Sequence, residues 1–179
     1  HELDFKTGAE VGVAQGRYSE LMAKNNPQMK VYGVDPYISS PEYTNYREQP
    51  MLDTAKEQAH KRMEKYPNYE FIQKYSMDAV KDFDDESIDF VYIDGNHDFV
   101  SITNDIWEWS KKVRTGGIIA GDEYYKHSGV RSDCHVYQVV NAYINARHIR
   151  PLFVLGSNNN RDLPRDRPRS WFYIKTEGK

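Results

Sequence analysis

The sequence predicts an α/β fold in which helices cover both faces of one mostly parallel sheet. Three observations lead there. Short apolar runs alternate with amphipathic stretches along most of the chain, the rhythm of repeated βα units. The run 88–93 is nearly continuous in apolar residues, as a strand covered on both faces requires. The last two apolar runs are joined without room for a packed helix, which predicts an antiparallel hairpin at the sheet edge.

In chain order, residues 10–14 read as a buried strand ending in glycine, followed by a helix over 19–25 with Tyr18, Leu21 and Met22 at helical spacing. Residues 30–35 form a second strand that Pro36 stops. Met51, Ala55, Ala59 and Met63 recur in steps of four with charges between them, so 50–66 is helical. Residues 69–72 and 88–93 are the third and fourth strands. Ile102, Ile106, Trp107 and Trp109 mark a helix over 99–113, ended by Thr115-Gly116-Gly117. A fifth strand spans 117–121, a helix spans 136–147, and 152–155 with 171–174 make the terminal hairpin. The total is seven strands in a doubly wound sheet.

Composition bounds the function. At roughly 150 residues per domain, 179 residues make one domain, 1–179. Lys and Arg number 24 against 27 Asp and Glu, a net charge of −3, so the basic footprint of a nucleic-acid binder is absent. The mean hydropathy of −0.84, with no apolar run near the roughly 20 residues of a spanning helix, excludes a membrane protein. Aromatic residues at 13% are too many for a solvated, disordered coil. A single cysteine, Cys134, excludes a disulfide framework and a cysteine-rich zinc site, and fits a reduced thiol in the cytoplasm. The chain opens on His1 without a signal-peptide pattern, which suggests sequence upstream of it.

A doubly wound sheet binds ligands beyond the carboxyl ends of its strands, so those ends are where chemistry is expected. The first is followed by Glu10-Val11-Gly12-Val13-Ala14-Gln15-Gly16. Two glycines before a helix let backbone approach a ligand closely, although alone they mark only a tight turn. Position 14 is Ala, so the dinucleotide pattern G-x-G-x-x-G is not met. Asp35 ends the second strand, where a carboxylate accepts from ribose hydroxyls or merely starts a surface turn. Ser76-Met77-Asp78 follows the third. Met77 suits a ring face, and Ser76 is either a polar neighbour of that ring or a helix N-cap. Asp94-Gly95-Asn96-His97 follows the fourth strand and Asp122-Glu123-Tyr124 the fifth. Neighbouring strands bring Asp94 and Asp122 together, and crowded carboxylates need a cation or a proton between them. Hard oxygen donors select Mg²⁺, Mn²⁺ or Ca²⁺. His97 titrates near neutrality, as a general base must; His127 and His135 lack such company and read as solvated. The stretch 37–49, with Tyr43, Tyr46 and Arg47, reads as a lid or a plain loop. The Arg161 to Arg169 cluster reads as a solvated hairpin loop or an anion contact.

These motifs together resemble the class I S-adenosylmethionine-dependent methyltransferases, a Rossmann-like fold, and look most similar to the branch with macrolide-sugar O-methyltransferases. Glu10 to Gly16 matches E-x-G-x-x-x-G, Val34-Asp35 the acidic second motif, and the block of 88–97 with 116–122 is the most specific part. The similarity runs from Glu10 to Ile174 and includes the reversed last strand. It implies S-adenosyl-L-methionine as cofactor, with Glu10, Gly12 and Gly16 on the methionine and ribose side. Asp35 would hold the ribose, Ser76 and Met77 would flank the adenine, and Asp94 would serve both cofactor and catalysis. It implies a divalent cation such as Mg²⁺ on Asp94, Asp122 and Glu123, where Asp is the more usual third residue, and His97 as base. Many relatives carry helices ahead of the first strand, and this chain has almost nothing there.

The expected activity is methyl transfer to a sugar or phenolic hydroxyl of a small molecule, without nucleic acid or membrane as partner. Oligomeric state, a homo-oligomer included, is left open. The alternatives are a cofactor-binding module without metal-dependent catalysis and a nicotinamide-dependent oxidoreductase, the latter disfavoured by the missing third glycine. A DNA amino-methyltransferase is disfavoured because the fourth strand ends in Ile93-Asp94-Gly95-Asn96.

Overall fold

Each strand forms where the sequence turns apolar: β1 (Thr7–Val11), β2 (Lys30–Val34), β3 (Tyr69–Ile72), β4 (Ile88–Ile93), β5 (Val113–Gly121), β6 (Phe153–Leu155) and β7 (Ser170–Ile174). The helices are α1 (Arg17–Asn25), α2 (Gln49–Met63), α3 (Ser76–Ala79), α4 (Phe99–Lys112) and α5 (Val136–Ala146). The computed structural model describes residues 3–40, 48–125, 134–156 and 169–178. The sheet order is β3-β2-β1-β4-β5-β7-β6. The first five strands pair in parallel, whereas β7 pairs antiparallel with both β5 and β6. The expected seven-stranded sheet and its reversed terminal hairpin are both present.

Burial explains why β4 is central. Val91 and Ile93 join the cluster of Ile102, Ile106 and Trp109 from α4. The alternate residues turn the other way: Phe90 packs with Met22 and Met29, and Tyr92 stacks on Tyr18 with ring centroids 3.9 Å apart. Both faces being covered, an apolar run is the stable choice at every position but one. The exception is Asp89, whose carboxylate accepts from the Lys6 and Thr7 amides at 2.7 and 2.9 Å and from Arg114 Nε at 2.6 Å. These bonds fix where β1 begins.

That start moves β1 from the expected 10–14 to Thr7–Val11. Gly12 has left the strand, with φ at 92°, although its amide still donates to the Val34 carbonyl at 2.8 Å. Conversely, β5 begins at Val113 rather than 117. The extra residues are carried on a register irregularity between Ile88 and Phe90, with Gly116 at φ 82°. Helix α3 is one turn, too short for periodicity to reveal. No helix among the described residues is long and apolar enough to cross a membrane.

The topology positions the site. β1 lies between β2 and β4, so chain connections leave it in opposite directions and open a crevice at the carboxyl ends. Helix α1 packs on α2 and β2, while α4 packs on α3, α5, β4 and β5.

Candidate functional site

A cavity of about 750 Å³ opens at the carboxyl ends of β1, β2, β4 and β5, a volume within the range of small-molecule sites. Its described wall carries the carboxyl groups of Glu10, Asp35, Asp94, Asp105, Asp122 and Glu123, and only one guanidinium, Arg17. Of the residues singled out from sequence, Glu10, Gly12, Asp35, Ser76, Met77, Asp94, His97, Asp122 and Glu123 all line it. Gly16 does not.

The turn after β1 is built from backbone constraints. A Cβ on Gly12 would stand 2.1 Å from the Asp94 carbonyl oxygen, so β1 and β4 close together only over glycine. Ala14 follows with φ at 46°, a conformation that costs a residue with a Cβ roughly 1 kcal/mol. Asp35 offsets that cost. Its Oδ2 accepts from the Val13 and Ala14 amides, each at 3.0 Å, and its Oδ1 accepts from the Tyr37 amide at 2.8 Å. The Tyr37 hydroxyl donates to the Ala14 carbonyl at 2.9 Å. Burial raises the Asp35 carboxyl, and the three amide bonds hold the rise in check. Gly16, at φ 70°, opens α1, and a Cβ there would meet Ala59 at 3.2 Å. Its place is the α1–α2 contact.

Glu10 is 1% exposed. Burial first, then the charges of Asp94 and Asp35, push its carboxyl well above the usual range, against a hydrogen bond donated by Ser19. The Ser19 hydroxyl also meets the Tyr69 hydroxyl at 3.0 Å. Gly33 makes room for this chain of groups, since a Cβ there would fall 1.7 Å from the Tyr69 oxygen.

At the far side of the cavity, Ser76 is the first residue of α3 and caps nothing; Tyr75 holds the cap position without a side-chain bond. The Ser76 hydroxyl instead turns inward, donating to Asp105 Oδ1 at 2.5 Å and accepting from Trp109 Nε1 at 2.9 Å. Met77 packs against the main core.

At the β4 and β5 ends, His97 Nε2 stands 3.3 Å from Asp94 Oδ1. Burial favours the neutral imidazole, but Asp94, followed by Glu123 and Asp122, outweighs it and raises the pKa above the ordinary 6.5. Asp122 is pushed up to about 6 by burial and by the charge of Asp94. Asp98 takes no part: its carboxylate caps α4, accepting from the Val100 and Ser101 amides at 2.8 and 3.1 Å. His135, expected to be solvated, is partly buried instead. Its amide donates to the His97 carbonyl at 2.8 Å, and its Nδ1 is buried without a hydrogen-bond partner among the described residues.

Asp94, Asp122 and Glu123 offer carboxyl oxygens, the donor type a hard divalent cation takes, and burial followed by the charge of Asp94 raises the Asp122 carboxyl. Among the described residues, however, no group of three or more His, Cys, Asp or Glu side chains is drawn close enough to hold a metal ion. His127, Tyr43, Tyr46, Arg47, Arg161, Arg165 and Arg167 lie outside the described residues. Arg169 lies with its guanidinium 5.9 Å from the Tyr124 ring centroid. The ends of the 37–49 stretch are tied, because Gln49 accepts from the Ser39 amide and donates to the Tyr37 carbonyl, both at 2.9 Å.

Sequence reasoning missed Arg17 and Asp105. Asp105 carried a signal: it sits on the apolar stripe of α4 with Ile102, Ile106 and Trp109, where an unpaired charge is costly.

A family model described as a methyltransferase domain matches residues 9–124. The chain is 29% identical over 127 residues to an uncharacterized protein of Acanthamoeba polyphaga mimivirus, a match covering 69% of this chain and 53% of that protein. The chain thus spans about half the length of the curated relative it matches. Solved structures share the fold. An O-methyltransferase family protein from Burkholderia thailandensis superposes with a TM-score of 0.68 at 12% identity, covering 99% of this chain and 53% of that one. A cofactor-bound protein from MTB gives 0.64 at 14% identity, covering 98% and 75%. A SAM-dependent O-methyltransferase from Thermotoga maritima gives 0.63 at 13% identity, covering 96% and 59%.

Proposed function

Because the chain belongs to the methyltransferase-domain family, we propose that it transfers a methyl group from S-adenosylmethionine to a hydroxyl oxygen of a small molecule. One observation carries the reading: a single cavity joins the Gly12 turn and Asp35 at one end to the His97–Asp94 pair at the other. The balance of charge supports it too. Carboxyl groups outnumber guanidinium groups six to one on the described wall, and those that are ionised suit a ligand that carries a sulfonium cation and an ammonium group.

The bound cofactor would supply an electrophilic methyl on sulfur, which the acceptor oxygen would take in line as the carbon–sulfur bond breaks to leave the neutral thioether. The protein's work is orientation, which converts a bimolecular encounter into a positioned one. Asp35 and the amides it holds shape the turn on which the ribose rests, and Met77 offers its thioether to the face of the base. His97 takes up the hydroxyl proton, and Asp94 beside Nε2 favours the imidazolium that forms. Because His97 titrates above 6.5, its base form is gained only as pH rises beyond that value.

We further propose that Asp94, Asp122 and Glu123 would hold a divalent cation, which would lower the pKa of the acceptor hydroxyl. The lack of an assembled three-ligand group among the described residues favours a second reading, in which the chain binds the cofactor without metal-dependent catalysis. Calorimetry separates the two. Mg²⁺ binding that Asp122→Ala weakens supports the first; absence of Mg²⁺ binding leaves the second.

The test of the whole reading is a radiolabelled methyl-transfer screen against sugar and catechol hydroxyls, with His97→Ala as control. The variant is expected to lose turnover and keep cofactor binding. Unchanged turnover would remove His97 from the role of base.

A further inference from the structure

Two side chains that the mechanism above does not use, Tyr37 and Arg62, grip the turn between β1 and α1. Three peptide groups join Val13 to Gly16, and their polar atoms are nearly all paired, as backbone groups in a packed turn must be. The Val13 carbonyl accepts from the Gly16 amide at 2.8 Å, and the Ala14 amide donates to Asp35 Oδ2 at 3.0 Å. The Ala14 carbonyl accepts from the Tyr37 hydroxyl at 2.9 Å, and the Gln15 carbonyl accepts from Arg62 Nε at 3.2 Å. Only the Gln15 N–H has no hydrogen bond to the described residues, and Gln15 lines the cavity.

Peptide planarity ties that donor to Tyr37. In a trans peptide the N–H points opposite to the carbonyl of the same plane, so the Tyr37 hydroxyl, by fixing the Ala14 carbonyl, also fixes the Gln15 N–H. Tyr37 is 3% exposed and packs with Val13, Leu52 and Ala59. Its hydroxyl approaches from the core side, and the N–H faces away from the core. Arg62 pins the next plane, whose N–H closes on the Val13 carbonyl. It reaches there from α2, anchored by Nη1 donating to Glu20 Oε2 at 2.8 Å. The turn needs such bonds, because Ala14 at φ 46° holds a left-handed conformation that disfavours a residue with a Cβ.

We propose that Tyr37 and Arg62 are positioning residues for the cofactor, which hold the two carbonyls of this turn so that the Gln15 N–H is presented to the cavity as a fixed donor. The proposal rests on the methyl-transfer reading, which places S-adenosylmethionine in this cavity, and it concerns how tightly that ligand is held. A donor oriented before the ligand arrives has less freedom to lose on binding.

The experiment combines calorimetric titration with S-adenosylhomocysteine, thermal melts and amide hydrogen exchange. Tyr37→Phe keeps the ring in its core contacts and removes only the hydroxyl; Arg62→Met removes the guanidinium. Each is expected to weaken S-adenosylhomocysteine by about fivefold or more, the scale of one hydrogen bond. Lys65→Met is the control, because Lys65 meets Glu20 at 2.8 Å rather than the turn. It is expected to bind like the wild type even where its Tm falls as far as that of Arg62→Met. In the wild type, the ligand is expected to slow exchange of the Gln15 amide by about tenfold or more. Residues that only stabilised the fold would lower Tm and leave the affinity of the folded protein unchanged. Wild-type affinity in both Tyr37→Phe and Arg62→Met overturns the proposal, and so does a Gln15 amide whose exchange the bound ligand leaves unchanged. Equal losses of affinity in Arg62→Met and Lys65→Met overturn it as well. Failure of the wild type to bind S-adenosylhomocysteine overturns the methyl-transfer reading and this inference with it.

Discussion

Asp105, which lines the cavity and accepts from the Ser76 hydroxyl, isolates one electrostatic quantity when it is changed to asparagine, because Asp105→Asn preserves the side chain's shape and the acceptor for Ser76 while removing ionisation. In the wild type, burial raises the Asp105 carboxyl from 3.8 to about 7, with the charge of Asp98 adding to it and the Ser76 hydrogen bond opposing. A carboxyl raised in the folded state contributes stability that is full below its unfolded pKa and is lost as pH climbs through the folded value. The gap of about three units, at roughly 1.4 kcal/mol each, sets a ceiling of about 4 kcal/mol. Allowing half for relaxation and water entry leaves about 2 kcal/mol, or roughly 4–8 °C in Tm for a chain of this size. Thermal melts of both proteins from pH 4 to pH 8 read the effect. The Tm advantage of Asp105→Asn should be smallest at pH 4 and should grow to roughly that size at pH 8. A difference independent of pH, or a variant less stable throughout, would refute the argument that burial holds this carboxyl protonated.

Three other outcomes follow from the geometry. Gly12→Ala forces a Cβ to 2.1 Å from the Asp94 carbonyl at a φ of 92°, so urea unfolding should show a loss of about 3 kcal/mol or more; a loss under about 1 kcal/mol would mean the two strand ends do not close over this glycine. Ser19→Ala strands the Glu10 carboxyl and the Tyr69 hydroxyl in the interior, and should cost about 1–3 kcal/mol in the same assay. For catalysis, the methyl-transfer rate of the wild type should rise with pH beyond 6.5, because the carboxylates around His97 raise its pKa; a rate that falls over that interval would contradict a neutral His97 as base.

The fold was legible because its strongest signals are local. The apolar run Ile88–Ile93 survives into the structure, the steps of four in α2 hold at Ala55, Ala59 and Met63 while Leu52 replaces the exposed Met51 as the first buried position, and the hairpin followed from the shortness of its connection. Boundaries were less legible where long-range bonds set them. β1 begins at Thr7 because Asp89, 82 residues away in sequence, accepts its amide, and it ends at Val11 because Asp94 crowds Gly12. Neither partner is visible from the local pattern.

The candidate site was legible in its strand-end residues, since topology sends Glu10, Asp35, Asp94 and Asp122 to one crevice. What stayed hidden was how the side chains are used. Asp35 is bonded to the turn amides, and the Ser76 hydroxyl is turned away to Asp105 and Trp109. Both arrangements depend on tertiary contacts between residues 21 to 33 positions apart, beyond the reach of periodicity or spacing.

Titration of the wild-type protein with S-adenosylhomocysteine tests the central claim most directly. The account predicts one site per chain with a Kd on the order of 10 μM or tighter, near −7 kcal/mol, kept in His97→Ala and lost in Gly12→Ala even where that variant remains folded. No heat and no Tm shift at ligand concentrations of about 1 mM, roughly 100 times that Kd, would contradict it.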